Sequence, residues 1–228
     1  MIMLVAVALS LPGEEIDLFN GKDLKGWKAV FQEESSLPKQ LKGKIKYPVK
    51  MEDVWKVEKG VLVCKGQPYG YIATEKEFGD FELSLEWKWN VSGRRGNPNS
   101  GVLLFVHGPD RAYPGGDAAI WPGSIEAQLA AGGAGDIWLI PPGKIEIPES
   151  QRDEKSKRRY HRTTKETVEN PLGDWNKYEI TSKGGDLSIK VNGTLVNEAK
   201  NADPKKGKIG LQSEGTEVHF RNIKIKEL

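Results

Sequence analysis

Phe81-Glu82-Leu83-Ser84-Leu85-Glu86-Trp87-Lys88-Trp89 alternates a large apolar side chain with a charged or small polar one at every step. A strand turns successive side chains to opposite faces, so Phe81, Leu83, Leu85, Trp87 and Trp89 share one apolar face while Glu82, Ser84, Glu86 and Lys88 share a wet one. A period of two over this length is the mark of a strand buried on one side. Working outward, the same rhythm predicts strands at Trp55-Lys56-Val57, Gly60 to Cys64, Tyr71 to Thr74, Gly101 to His107, Ser124 to Ala130, Ile137 to Ile140, Lys177 to Ser182 and Leu187 to Val191. Asn192-Gly193, the preferred two-residue hairpin turn, joins the last of these to Thr194 to Asn197. Strands also follow at Lys208 to Gln212 and Glu217 to Lys226, where the apolar phase slips between Phe220 and Ile223 and predicts a bulge. No long amphipathic helix is visible. The pattern predicts an all-β chain, a jelly-roll sandwich of two antiparallel sheets.

Two stretches break the rhythm, near residues 31–50 and 144–173, both rich in charge and proline, and both read as loops. Long loops in a compact domain often wall a site. Within the second, Arg158-Arg159-Tyr160-His161-Arg162 reads either as a basic patch or as a solvated loop, since acids at Glu149, Asp153, Glu154, Glu166 and Glu169 offset it.

The chain has 228 residues with 34 Lys plus Arg against 32 Asp plus Glu, a net charge of +2 that offers nothing to draw nucleic acid. Seven Trp and 37% hydrophobic residues are enough for a sizeable core. A single cysteine, Cys64, excludes an internal disulfide, and its neighbours Val61-Leu62-Val63 place it as a buried inert thiol. Met1 to Leu11 is apolar but far short of the roughly 20 residues that span a bilayer. It reads as an export signal over residues 1–13, or as a first strand, with no Lys or Arg ahead of it and no small-x-small cleavage site behind. Export to the periplasm or the cell exterior is the expectation, with one domain over residues 14–228. No other segment is apolar enough to span a membrane.

The chain lacks a phosphate-binding loop, a dinucleotide fingerprint, a calcium-hand loop, a histidine pair at zinc spacing and a nucleophile elbow. What remains is a set of polar and aromatic residues at strand ends: Asn99, His107, Tyr113, Glu126, Gln128, Asp136 and Trp138. In Ile125-Glu126-Ala127-Gln128-Leu129 the carboxylate and the amide share one strand face, which reads as a solvated surface or as a site. Flat aromatic faces beside hydroxyl-directed amides and carboxylates suit a sugar. Trp138 is a stacking platform or a core residue, and His107 a structural hydrogen-bonding group or a proton-transfer group.

Several segments in order resemble the bacterial 3-keto-disaccharide hydrolase domain family: Leu18-Phe19-Asn20-Gly21-Lys22-Asp23-Leu24-Lys25-Gly26-Trp27, Gly79-Asp80-Phe81-Glu82-Leu83, Asn99-Ser100-Gly101-Val102, Ile125 to Leu129, Gly135-Asp136-Ile137-Trp138, Gly173-Asp174-Trp175-Asn176, Gly207 to Gln212 and Phe220-Arg221-Asn222-Ile223. The resemblance implies a concanavalin A-like (lectin/glucanase) sandwich. It also implies cleavage of a glycoside already oxidised to a ketone at C3. The ketone acidifies the C2 proton, so a base removes it, the enolate expels the C1 substituent, and water adds to the enone. On that reading Glu126 is the base, His107 an acid or alternative base, and Gln128, Asn99, Lys88, Trp138, Asp136 and Tyr113 bind or position the substrate. The chain departs from the family pattern twice. Phe105 and then His107 stand where a basic residue, often Arg, is usual, which leaves His107 or Lys88 to supply the cation. Ser213-Glu214-Gly215 stands where a His often follows the Gly-Leu-Gln segment. A calcium or manganese ion would suit carboxylates and amides at strand ends. A two-carboxylate glycosidase would draw its second acid from Glu86 or Asp136. The same fold also supports a non-catalytic carbohydrate-binding module or a cell-surface interaction domain.

Overall fold

The computed structural model describes residues 13–90, 92, 97–110 and 120–228. Tyr113, most of the proposed export signal and Met1 to Leu11 lie outside the described residues. Among the described residues sixteen strands follow one another: β1 (Glu15–Asp17), β2 (Trp27–Phe31), β3 (Trp55–Glu58), β4 (Val61–Cys64), β5 (Gly70–Thr74), β6 (Phe81–Trp89), β7 (Gly101–His107), β8 (Gly123–Gln128), β9 (Ile137–Ile140), β10 (Lys144–Glu146), β11 (Arg159–Tyr160), β12 (Asn176–Lys183), β13 (Asp186–Val191), β14 (Thr194–Asp203), β15 (Lys208–Ser213) and β16 (Val218–Glu227). One helical turn, Met51–Val54, precedes β3. Among the described residues no helix is long and apolar enough to cross a membrane.

The strands form two antiparallel sheets. One runs β10-β14-β13-β12-β6-β16-β4-β3 with β1 also on β16, and the other runs β11-β9-β8-β7-β15-β5-β2. Strand β6 lies inside the first sheet, and its apolar face of Phe81, Leu83, Leu85, Trp87 and Trp89 is buried. Against it the second sheet sets Val102, Leu104, Ile125, Ala127, Ile137, Ile209 and Leu211. The result is the jelly-roll sandwich that the alternation predicts. The expected slip in the last strand is present as a register shift between Arg221 and Lys224, with Asn222 at φ 50°. Cys64 is buried, and burial pushes its thiol up to about 12.

Two differences from the sequence reading bear on the site. The segment near 144–173 is not all loop: β10 pairs with β14, and β11 pairs with β9 in the register Arg159↔Trp138 and Tyr160↔Ile137. Strands of two or three residues are too short to show a period, so only their long-range partners reveal them. The second difference is a bulge in β7. Phe105 has φ 54°, and the register against both β8 and β15 shifts there. Leu104 and Phe105 therefore both enter the core, and every later side chain on β7 changes face.

The two sheets are tied directly behind β8. The Tyr178 hydroxyl, on β12, crosses the core to donate to the Gln128 carbonyl at 2.6 Å. Trp87 packs edge-on against the Tyr178 ring with centroids 4.9 Å apart. Burial holds the phenol well above its ordinary pKa, so it remains a donor.

Candidate functional site

On β8 the core takes Ile125, Ala127 and then Leu129, which leaves Glu126 and Gln128 on the outer face of the seven-stranded sheet. This face is not plain surface, because Glu126 and Gln128 are each only 6% exposed. The neighbouring strand β7 presents Gly101 opposite Gln128, and β15 beyond it presents Gln212. A side chain at Gly101 would occupy the place where the two outer strands' side chains converge. A Cβ there would stand 2.4 Å from Glu126 Oε1 and 2.6 Å from Gln212 Oε1. Glycine thus lets the carboxylate and the amide approach each other over its backbone.

Buried polar atoms normally have hydrogen-bond partners. Here they do not: Glu126 Oε1, both amide atoms of Gln212, Asn99 Oδ1 and Trp138 Nε1 are buried without one. The Gln212 amide lies beside Glu126 but does not meet it in hydrogen-bond geometry. Burial raises the Glu126 pKa well above the ordinary carboxylate range, and the nearby Glu214 charge raises it further. Gln212 and the Arg159 cation pull the other way without cancelling that effect.

Trp138 and Asp136 complete one side. Trp138 pairs directly with Glu126 across β8 and β9, while its neighbours Ile137 and Leu139 turn to the core. Trp138 is therefore on the polar face and half-buried. Asp136 Oδ2 accepts from Arg159 Nε at 2.8 Å and from Arg159 Nη2 at 2.6 Å, and its Oδ1 accepts from the Arg162 backbone at 2.8 Å. His161 bridges the same Asp136 oxygen at 3.3 Å to Asp153 at 3.0 Å. Held in this fork, the Arg159 guanidinium sits 5.8 Å from the Trp138 ring centre, within cation–π range.

The remaining residues singled out from the sequence separate into three groups. Asn99 lies just before β7, its backbone N–H donating to Thr216 Oγ1 at 3.1 Å and its buried side-chain carbonyl without a partner. Gln128 stands on the face but turns its Oε1 back to the N–H groups of Leu129 at 2.9 Å and Ala130 at 3.1 Å, so its carbonyl end holds the strand terminus. Two others are not brought to Glu126. His107 follows the β7 bulge and turns to the opposite face, its ring 3.2 Å from where a Gly123 Cβ would stand and its Nδ1 2.6 Å from the Phe105 carbonyl. Lys88 belongs to β6, whose wet face looks outward from the other sheet, and its ammonium lies 5.0 Å from the Trp175 ring centre. Glu86 is on that far face too, held by Arg221 at 2.6 and 2.8 Å and by Asn222 at 2.7 Å.

Two residues that sequence reasoning did not place belong on the face: Gln212 and Arg159. Gln212 follows from the alternation Gly210, Gln212 once β15 is known to lie beside β7. Arg159 comes from the stretch read as a loop, and it is a cation near Glu126 where the β7 sequence offers none. Among the described residues no group of three or more His, Cys, Asp or Glu side chains is placed to hold a metal ion.

Comparison with solved structures finds the same fold. A candidate glycosyl hydrolase from Parabacteroides distasonis ATCC 8503 matches with a TM-score of 0.61 at 26% identity, covering 95% of this chain and 94% of that one. The carbohydrate-binding module CBM66 from Bacillus subtilis matches at 0.55 and 12% identity, over 89% of this chain and 96% of that one. A Bacteroides ovatus GH16 protein from a mixed-linkage glucan locus, solved with a G4G4G3G product, matches at 0.52 and 13% identity, over 94% and 99%. The last two show the shared concanavalin A-like jelly roll and no more. Among curated proteins none matches. The 3-keto-alpha-glucoside-1,2-lyase-like domain model matches residues 14–226, nearly the whole chain, and the chain belongs to that family.

Proposed function

We propose that the chain is a carbohydrate-active enzyme that cleaves glycosides carrying a ketone at C3, with Glu126 as the base that removes the C2 proton. The observation that carries this reading is the cluster of buried, unpartnered polar atoms on one sheet face. Of nine such atoms among the described residues, five belong to Asn99, Glu126, Trp138 and Gln212. A sugar presents hydroxyls that both donate and accept, which is what a mixed set of carbonyl, carboxylate, amide and indole groups requires. Membership of a family named for a 3-keto-glucoside lyase supports the substrate class.

The chemistry asks little of the protein. A desolvated carboxylate is a stronger base than one in water, which suits abstraction of a carbon-bound proton. Arg159, fixed by Asp136, supplies positive charge on the side of the face where negative charge develops on the sugar. Trp138 beneath the guanidinium offers a flat surface and an indole N–H. The apolar stretch at residues 1–13 supports export, which fractionation of the expressing cell tests directly.

The decisive assay incubates the protein, with and without a chelator, with a 3-keto glycoside and with its unoxidised parent. Release of the C1 substituent from the ketone alone is expected, and Glu126→Gln is expected to lower that rate by about 10² to 10⁴ while leaving affinity nearly intact. Binding with no release from either substrate would identify a carbohydrate-binding module instead. Equal release from the unoxidised parent would point to ordinary glycoside hydrolysis.

A further inference from the structure

We propose that Gln212 grips the reacting end of the sugar: its Nε2 donates to the C3 ketone oxygen and its Oε1 accepts from the C2 hydroxyl, which sets the C2 proton against Glu126. The inference rests on the reading of the chain as an enzyme acting on 3-keto glycosides, and it gives Glu126 a second catalytic residue as its companion.

The strand fixes this residue but leaves its amide unused. β15 lies inside its sheet between β7 and β5, with Gln212 opposite Tyr71 and the Gln212 backbone carbonyl accepting from the Ser100 hydroxyl at 2.9 Å. The next residue, Ser213, donates its hydroxyl to the Pro68 carbonyl at 3.0 Å. A side chain on an interior strand held in this way is more precisely placed than one on a loop. Gln212 is fully buried, yet neither of its amide atoms has a partner. Gln128, the other glutamine of the face, differs, because its Oε1 accepts from the Leu129 and Ala130 N–H groups. A donor and an acceptor left together on one buried side chain point to a ligand that brings the complement of both.

Position selects the part of the ligand. With no side chain at Gly101, Glu126 and Gln212 converge over its backbone, where a Cβ would stand 2.4 Å from Glu126 Oε1 and 2.6 Å from Gln212 Oε1. Both oxygens are acceptors while Glu126 is ionised, so neither satisfies the other and the hydrogen must come from outside. Arg159 stands two strands from Glu126, beyond Trp138 in the register Glu126↔Trp138↔Arg159, so it acts on C3 by charge and not by contact. Trp138 Nε1 is nearer, but an indole only donates. In a 3-keto glycoside C2 carries a hydroxyl that donates and C3 a carbonyl that only accepts. A carboxamide bears the complementary pair on one carbon and meets both neighbouring oxygens at once.

The proton-transfer step then balances within the site. Glu126 takes the C2 proton, the electron pair of that bond becomes the C2–C3 double bond, and the carbonyl π pair moves onto O3. The Nε2–H bond to O3 strengthens as that charge grows, so its stabilisation is realised chiefly in the transition state. Burial and the Glu214 charge raise the Glu126 pKa, while Gln212 and Arg159 lower it, so the ionised base remains a strong one. In D2O, Glu126 exchanges its proton with solvent and returns a deuteron to C2.

The test follows C2 exchange in D2O by NMR, beside steady-state release, for wild type, Glu126→Gln, Gln212→Met and Trp138→Phe. Each is given a 3-keto glycoside and its 2-deoxy counterpart, and melting temperatures check the folds. Methionine keeps the length of glutamine without its amide. Gln212→Met is expected to lower exchange and kcat by about 10² to 10³ while melting no more than roughly 2 °C below wild type, since the lost amide had no partner. Loss of the C2 hydroxyl is expected to raise the wild-type KM about tenfold and to leave that of Gln212→Met unchanged. Trp138→Phe is expected to keep its exchange rate within about tenfold of wild type, and Glu126→Gln to lose exchange. Exchange in folded Gln212→Met within about threefold of wild type, or a loss of about 100-fold in Trp138→Phe instead, would overturn the assignment and leave Glu126 as base. So would a wild type indifferent to the C2 hydroxyl, an outcome that needs no variant to fold. A wild-type protein that neither exchanges nor releases would overturn both readings.

Discussion

Arg159 and Asp136 meet as a fork on one oxygen: Asp136 Oδ2 accepts from Nε at 2.8 Å and from Nη2 at 2.6 Å, with the carboxylate nearly buried and the guanidinium partly exposed. The pair places a cation 5.8 Å from the Trp138 ring centre and within electrostatic reach of Glu126. Arg159→Lys keeps the charge but loses the fork and the planar stacking, so it separates position from charge. We expect Arg159→Lys to lower kcat by roughly tenfold or more with a small change in melting temperature, since an interaction with developing charge is made in the transition state. Asp136→Asn leaves buried donors short of a charged partner, and we expect it to cost about 3 kcal/mol of stability as well as turnover. Urea denaturation beside steady-state kinetics distinguishes the two.

Gly101 tests whether the face is as tightly set as its contacts indicate. Its φ is not in the left-handed region, so alanine fits the backbone, and the clashes of its Cβ are with the Glu126 and Gln212 side chains. Gly101→Ala should therefore move the base while leaving the sandwich intact. A displacement of about 1 Å in a catalytic group costs on the order of 100-fold. We expect that loss in kcat/KM with a melting temperature within roughly 2 °C of wild type.

The carboxylate pair also has a signature in stability. Both groups are raised in the folded chain, Glu214 to about 8 from an ordinary value of 4.5. Between those two values the folded state binds more protons than the unfolded one, so the pair's contribution to stability falls as pH rises through that window. Glu214→Gln removes the penalty. At pH 8 we expect the variant to melt about 2–4 °C above wild type, the shift that roughly 1 kcal/mol gives in a chain of this size. At pH 4, below the unfolded value, the difference should vanish.

Local sequence carried much of the fold. The β6 alternation, the Asn192-Gly193 hairpin and the phase slip before Ile223 each depend on residues near one another, and each has its counterpart in the structure. The position of Glu126 on a polar face was legible for the same reason. What was hidden depended on partners far along the chain. Counting by twos from Leu103 puts His107 beside Glu126, and only the bulge at Phe105 reverses that. Lys88 shows a polar face but not which sheet carries it. Gln212 becomes visible only after β15 is seated on β7, and Arg159 only after two residues from a charged stretch pair with β9.

The contrast between β8 and β11 has a bearing on how such a protein could diversify. Glu126 rides on a strand hydrogen-bonded on both sides and tied through Tyr178 to the opposite sheet, whereas Arg159 arrives on a two-residue strand at the sheet's margin. On the proposed function, replacing the marginal segment would exchange the cation offered to the sugar while leaving Glu126 in place. Substrate preference and acid–base chemistry would then be inherited on separate pieces of chain, and the first could change without rebuilding the second.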